Sequence, residues 1–203
     1  ARRLRSTAQN MQKQIDAKLN PAVANQNLTA RRARIAAGMA QEAEFMKQTQ
    51  ASINAIADNM EAGTLPESLK GISSKAQVET LRQYKNMPTA TVRKSDIRDL
   101  FEWVKGRAGT KQPKETLEMA LLREGKYGWD IEINEREIEA LETLIKKAKA
   151  IPAVKDKHSY SLNTIKNSIT DYKRMTNAGI SNNNDFQKAK EDLTKITEPP
   201  PKV

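Results

Sequence analysis

The chain has 203 residues, with 35 Lys or Arg against 25 Asp or Glu and a formal net charge of +10. It has no cysteine and one histidine, which excludes a disulfide framework, a thiol nucleophile, a Cys-based zinc site and any histidine cluster. No apolar run approaches the roughly 20 residues that span a bilayer, so no membrane partner is expected. Aromatics are 4% and Gly and Pro number 8 each, a composition of helices with an aliphatic core.

The first helix is predicted from Arg3 to Leu19, on the stripe Leu4, Ala8, Met11, Ile15 and Leu19. Asn20-Pro21 ends it, because the residue before proline is pushed out of the α region. Residues 22–28 form a polar connector. Thr29 then caps the longest helix, with Ile35, Met39, Ala43, Met46, Ile53, Ile56 and Met60 inward and Gly63 just past its end. Its length is roughly 50 Å at 1.5 Å per residue. The two helices are expected to pair as an antiparallel hairpin.

Residues 64–73 read as a turn-rich connector whose Leu65, Leu69 and Ile72 fold back on that hairpin. A third helix runs from Ser74 to Tyr84, with Ser74 and Gln77 at capping-box spacing. Ser95 caps a fourth helix to Lys105. Pro113 opens a fifth to Glu124 at the favoured first position. Trp129, Ile131 and Ile133 alternate with acids, but one strand makes no sheet, so this run reads as extended chain with its apolar side inward. Asn134 and Glu137 cap a sixth helix stopped by Pro152. A seventh covers Ser161 to Thr176 and an eighth Asp185 to Ile196. Glu198-Pro199-Pro200-Pro201 reads as a stiff tail or the start of a linker.

The expected fold is therefore all-α: a long antiparallel helical hairpin followed by a bundle of shorter helices. The expected domains are 1–86, 95–196 and a Pro-rich segment at 197–203, with the boundary near 86–94.

Enzymatic motifs are missing. No Gly-X-Gly-X-X-Gly or Gly-X-X-X-X-Gly-Lys run occurs, so neither a dinucleotide fold nor a P-loop is supported. His158 lies in Lys155-Asp156-Lys157-His158-Ser159 and reads as a solvated loop histidine. The acids from Asp130 to Glu142 precede Lys146, Lys147 and Lys149, the order that the helix dipole favours, and read as structural. Tyr127 and Trp129 beside Lys126 have the ingredients of a base-stacking surface, but core packing is the expected fate. Trp103 is expected to be partly buried. No enzyme activity, metal or cofactor is expected.

The basic start of the chain stands out. Six of its arginines, Arg2, Arg3, Arg5, Arg31, Arg32 and Arg34, fall in the first 34 residues. Three crowd the first turn of the long helix, where the dipole is positive and cations are disfavoured unless an anion meets them. With Asn27 and Thr29 as added polar groups, these arginines form the candidate nucleic-acid-binding set. The expected partner is nucleic acid, DNA ahead of RNA. An acidic protein surface is the alternative. Arginines paired with acids elsewhere in the fold would leave no site.

Three stretches carry a resemblance. They are Asn-Leu-Thr-Ala-Arg-Arg-Ala-Arg-Ile-Ala-Ala-Gly-Met at 27–39, Glu-Ala-Gly-Thr-Leu-Pro-Glu-Ser-Leu-Lys-Gly-Ile-Ser-Ser-Lys-Ala-Gln-Val-Glu-Thr-Leu at 61–81, and Asn-Ala-Gly-Ile with the later Phe-Gln-Lys-Ala-Lys-Glu-Asp-Leu within 177–193. Together they resemble the helical region ahead of the methyltransferase domain in some phage- and plasmid-borne S-adenosylmethionine-dependent proteins. No Asp/Glu-X-Gly-X-Gly cofactor loop and no Asn/Asp-Pro-Pro-Tyr/Phe motif is present. The resemblance therefore implies a mobile-element-associated accessory protein without catalysis, and the absence of cysteine fits a cytoplasmic one.

Overall fold

A computed structural model describes residues 1–23, 30–125, 127–198 and 201. The chain is mostly helical: α1 (Arg2–Val23), α2 (Ala30–Ala62), α3 (Lys75–Gln83), α4 (Lys94–Trp103), α5 (Lys111–Ala120), α6 (Glu135–Lys149), α7 (Pro152–Asn177) and α8 (Asn183–Thr197). A 3₁₀ turn covers Glu67–Leu69, and two short strands, β1 (Thr91–Arg93) and β2 (Asp130–Glu132), complete the described elements. No described helix is long and apolar enough to cross a membrane.

The chain forms two units, Ala1–Met87 with Met175–Val203, and Pro88–Arg174. This differs from the expected 95–196 bundle, because α8 belongs to the first unit. Phe186, Ala189 and Leu193 bury their side chains in the same core as Ile53, Ile56, Leu69, Val78 and Leu81. The boundary near 86–94 coincides with the first division of the chain; the second, at Met175, carries no proline or glycine signal because it lies inside α7.

In the first unit α1 and α2 run antiparallel. Arg5 meets Asp58 and Glu61 near the end of α2, and Lys18 meets Glu42. Leu4, Ala8, Met11 and Ile15 are buried as their spacing requires, and so are Ala43, Met46, Ile53 and Ile56. The predicted stripe fails at both ends of α2: Ile35 is 52% and Met60 41% exposed. Helical periodicity marks a face, but a face is buried only where another element covers it. The helix α1 also continues past Asn20-Pro21 to Val23. Pro21 lacks the N–H that would donate to the carbonyl four residues back, and the helix runs only two residues beyond it. The connector at 24–29, including the expected cap Thr29, lies outside the described residues.

Leu69 and Ile72 do fold back into the core. Ser74 and Gln77 form the expected capping box, as do Asn134 and Glu137 at the start of α6.

In the second unit the run around Ile131 is a strand after all. It pairs antiparallel with β1 in the register Thr91↔Glu132, Val92↔Ile131 and Arg93↔Asp130. The partner, Thr91-Val92-Arg93, sat in a stretch read as linker. Its β-branched pair was the available signal. Because β1 feeds directly into α4, the N-cap is Arg93, and Ser95 lies inside the first turn. Pro113 is the third residue of α5, since the helix opens at Lys111. Pro152 begins α7 as well as stopping α6, and His158 breaks the helical geometry inside it, with φ −123° and ψ 19°. The core here is Val92, Ile97, Leu100, Leu117, Ile131, Leu141, Leu144, Leu162 and Ile165, joined by neighbouring aliphatics.

Candidate nucleic-acid interface

The six arginines form two separate groups. Arg2, Arg3 and Arg5 stand at the start of α1; Arg31, Arg32 and Arg34 stand at the start of α2. The Arg5 contacts place the first group beside Asp58 and Glu61, at the far end of α2. At 1.5 Å per residue the two groups lie about 40 Å apart along that helix. Nearness in sequence therefore does not produce one site here.

Arg5 is committed to the fold. Its Nη2 donates to Asp58 Oδ1 at 2.6 Å and to Glu61 Oε2 at 2.8 Å, and its Nε donates to Glu61 Oε1 at 3.1 Å. Those hydrogen bonds hold its guanidinium well above its ordinary pKa. In return the Glu61 carboxyl is held below its ordinary value, chiefly by the hydrogen bond from Arg5. A carboxylate with a depressed folded pKa stabilises the fold fully above its unfolded value near 4.5, and the stabilisation disappears as pH falls through the folded value. Glu61→Gln should therefore unfold more easily than the parent at pH 7, with the difference vanishing in strong acid. Thermal unfolding of both chains from pH 7 to pH 2 measures this.

Arg2, Arg3, Arg32 and Arg34 are exposed. Among the described residues none of the four has an ion-pair partner. Arg31 lies in the first turn of α2; its side chain, and the residues Asn27 and Thr29, lie outside what the structure describes. From Ala30 to Gln41 the helix carries no acid; Glu42, Glu44, Asp58 and Glu61 all come later. Cations first and acids last is the order that the helix dipole disfavours. Two of the four acids of α6 are occupied elsewhere. Glu137 accepts from Arg123 at 2.6 Å and Glu142 from Lys173 at 2.7 Å.

No family model, curated protein or solved structure matches this chain.

The expectation of core packing for Tyr127 and Trp129 is overturned. Tyr127 is 61% and Trp129 57% exposed, and their rings stack with centroids 5.8 Å apart and planes 18° from parallel. Alternation with Ile131 and Ile133 predicts Trp129 inward. In the structure it precedes β2, and Gly128, at φ +76°, turns the chain between them and Tyr127. Trp129 lines an open pocket of about 610 Å³ with Arg93, Lys94, Ser95, Arg98 and Gly128. The signal for Arg93, Lys94 and Arg98 in the sequence is their spacing at one helix start. Trp103 is half-buried as expected, and stacks on His158 at 4.5 Å. His158 is thus a helix residue in contact with an aromatic rather than a solvated loop residue. Among the described residues no three His, Asp or Glu side chains converge as a metal site.

Proposed function

We propose that the chain is a non-catalytic, cytoplasmic accessory protein that binds nucleic acid through the opening turns of α2, with DNA the preferred form. The observation that carries this reading is the charge order of α2. Arg32 and Arg34 are exposed, unpaired among the described residues and followed by an acid-free stretch to Gln41. A helix start of that kind gains when phosphate arrives. Arg31 shares the turn, and Arg2 and Arg3 form a separate basic end. The resemblance to regions ahead of mobile-element methyltransferase domains supports a setting in which DNA is at hand.

Phosphate contacts make binding salt-dependent, at roughly 0.9 in the log–log slope for each contact. The Arg31→Glu, Arg32→Glu, Arg34→Glu triple variant should abolish retention of a random duplex at moderate salt and flatten the slope by about 3. Unchanged duplex binding by that variant sinks the reading.

The second reading is a protein–protein module, an inhibitor of or adaptor to a nucleic-acid enzyme. Met119 and Leu122, 69% and 77% exposed, favour it as an apolar surface. It requires no duplex retention at moderate salt and one stoichiometric partner that Met119→Ser with Leu122→Ser releases.

A further inference from the structure

The second unit carries a surface that the arginine reading does not use. Its parts are the stacked pair Tyr127 and Trp129 and the three cations Arg93, Lys94 and Arg98 around the pocket that Trp129 lines. The pocket lining contains no carboxylate. The acids nearest in sequence on α4 are Asp96, whose Oδ2 lies 3.6 Å from Arg93 Nε, and Asp99. Against three cations, Asp96 offsets one of them at most.

The aromatic pair is held in place by backbone. Lys94 N–H donates to Trp129 O at 2.9 Å, which ties the loop to the start of α4. Gly128 N–H donates to Gly125 O at 3.2 Å, closing the turn that presents both rings. Tyr127 N–H donates to Asp130 Oδ1 at 3.3 Å. On the other side of the loop, β2 is fixed to β1 by the pairing of Arg93 with Asp130. Two large rings at the surface lose the solvent shielding that the nearby core offers to Ile131 and Ile133. A fold that fixes them there, beside Lys94 and Arg98, which have no ion-pair partner among the described residues, presents a π-face and an anion receptor together.

We infer that this surface binds single-stranded nucleic acid, with an unpaired base stacking on the Tyr127–Trp129 pair and the adjoining phosphates held by Arg93, Lys94 and Arg98. Every base has a π-face, so stacking accepts any sequence, whereas a duplex keeps its bases hidden. Guanidinium and ammonium groups hold phosphate and make no use of a ribose 2′-hydroxyl, so DNA and RNA strands bind alike. An acidic peptide would satisfy the cations and leave the rings idle. This surface is independent of the α2 arginines and stands whether or not they contact a duplex.

The test uses the full chain with Trp103→Phe, so that Trp129 is the remaining indole. Titration with oligo-dT should quench its fluorescence, and oligo-U of equal length should do so with similar affinity. Trp129→Ala, read by the anisotropy of dye-labelled oligo-dT because no indole remains, should weaken binding about ten- to hundredfold, the range that one stacked base supplies; the same readout serves the other variants. Trp129→Phe should keep most of it, and Arg98→Glu should lower both affinity and salt slope. The triple α2 reversal should leave oligo-dT binding in place, which separates this surface from that one. Thermal unfolding checks that the exposed substitutions leave the fold intact. Binding of oligo-dT unchanged by Trp129→Ala, duplex binding as tight as single-strand binding at this surface, or equal displacement by poly-glutamate would each overturn the inference.

Discussion

Gly125→Ala should unfold the second unit or cost it several kcal/mol, far more than a methyl group in open space. A Cβ built at Gly125 overlaps the carbonyl oxygen and carbon of Asp130, and sits 3.0 Å from its Oδ1. The obstacle is the backbone of β2, which cannot rotate aside as a side chain does. Relief needs β2 to leave β1 or the loop to move. Either shift breaks the Lys94 to Trp129 hydrogen bond and disperses the aromatic pair. Urea unfolding measures the loss of stability, and amide exchange at Val92 and Ile131 reports the strand pairing directly. A variant with parental stability and parental protection at those amides would show that the close approach is not a constraint. Oligo-dT binding should fall with the pairing.

Phe186→Ala should remove about 3–5 kcal/mol from the first unit, the range for deleting a buried phenyl ring with partial collapse of the cavity. Phe186 is fully buried, and it is among the largest side chains that are. Its ring joins α8 to a core shared with α1, α2, α3, the 3₁₀ turn and the end of α7, and Lys190 Nζ sits 5.8 Å from its centroid. Against a typical total of about 5–15 kcal/mol, that loss leaves little margin. The expected signature is an early unfolding transition in which α8 is released, read as new proteolytic cleavage between Asn177 and Thr197. Loss confined to less than about 1 kcal/mol would mean that α8 is held by its polar contacts, such as Ser68 with Asp192 at 2.7 Å and Gln187 with the carbonyl of Lys85 at 2.6 Å.

Local chemistry was readable where one residue's need was met by a neighbour. Ser74 with Gln77 and Asn134 with Glu137 are such cases, because a cap is completed within one turn. The buried stripes of α1 and the middle of α2 were readable for the same reason. Nonlocal facts were not. The partner of β2 lies far back in the chain, and nothing near Ile131 names Val92. Ile35 satisfies the helical period but has no element over it. The candidate site shows both sides. The charge order of α2 was legible, since it is a property of one helix. The separation of the two arginine groups follows from the expected antiparallel pairing of the first two helices, which sets the start of α1 beside the far end of α2, although nearness in sequence suggests one cluster. The alternation that predicts Trp129 inward stops at Asp130, where β2 begins, and Trp129 lies outside the strand next to the Gly128 turn.

The placement of α8 has a consequence for how the chain is made. The first unit is discontinuous: its core needs residues on both sides of Pro88–Arg174. On a ribosome, α1, α2 and α3 emerge first with Ile53, Ile56, Leu69 and Leu81 awaiting the ring that covers them. The whole second unit, whose core is continuous in sequence, is synthesised next. Only afterwards does Phe186 emerge. Folding of the inserted unit shortens the effective loop that α8 must close, and loop entropy grows only slowly with length. Completion of the first unit's core is thus deferred until the middle of the chain has been made.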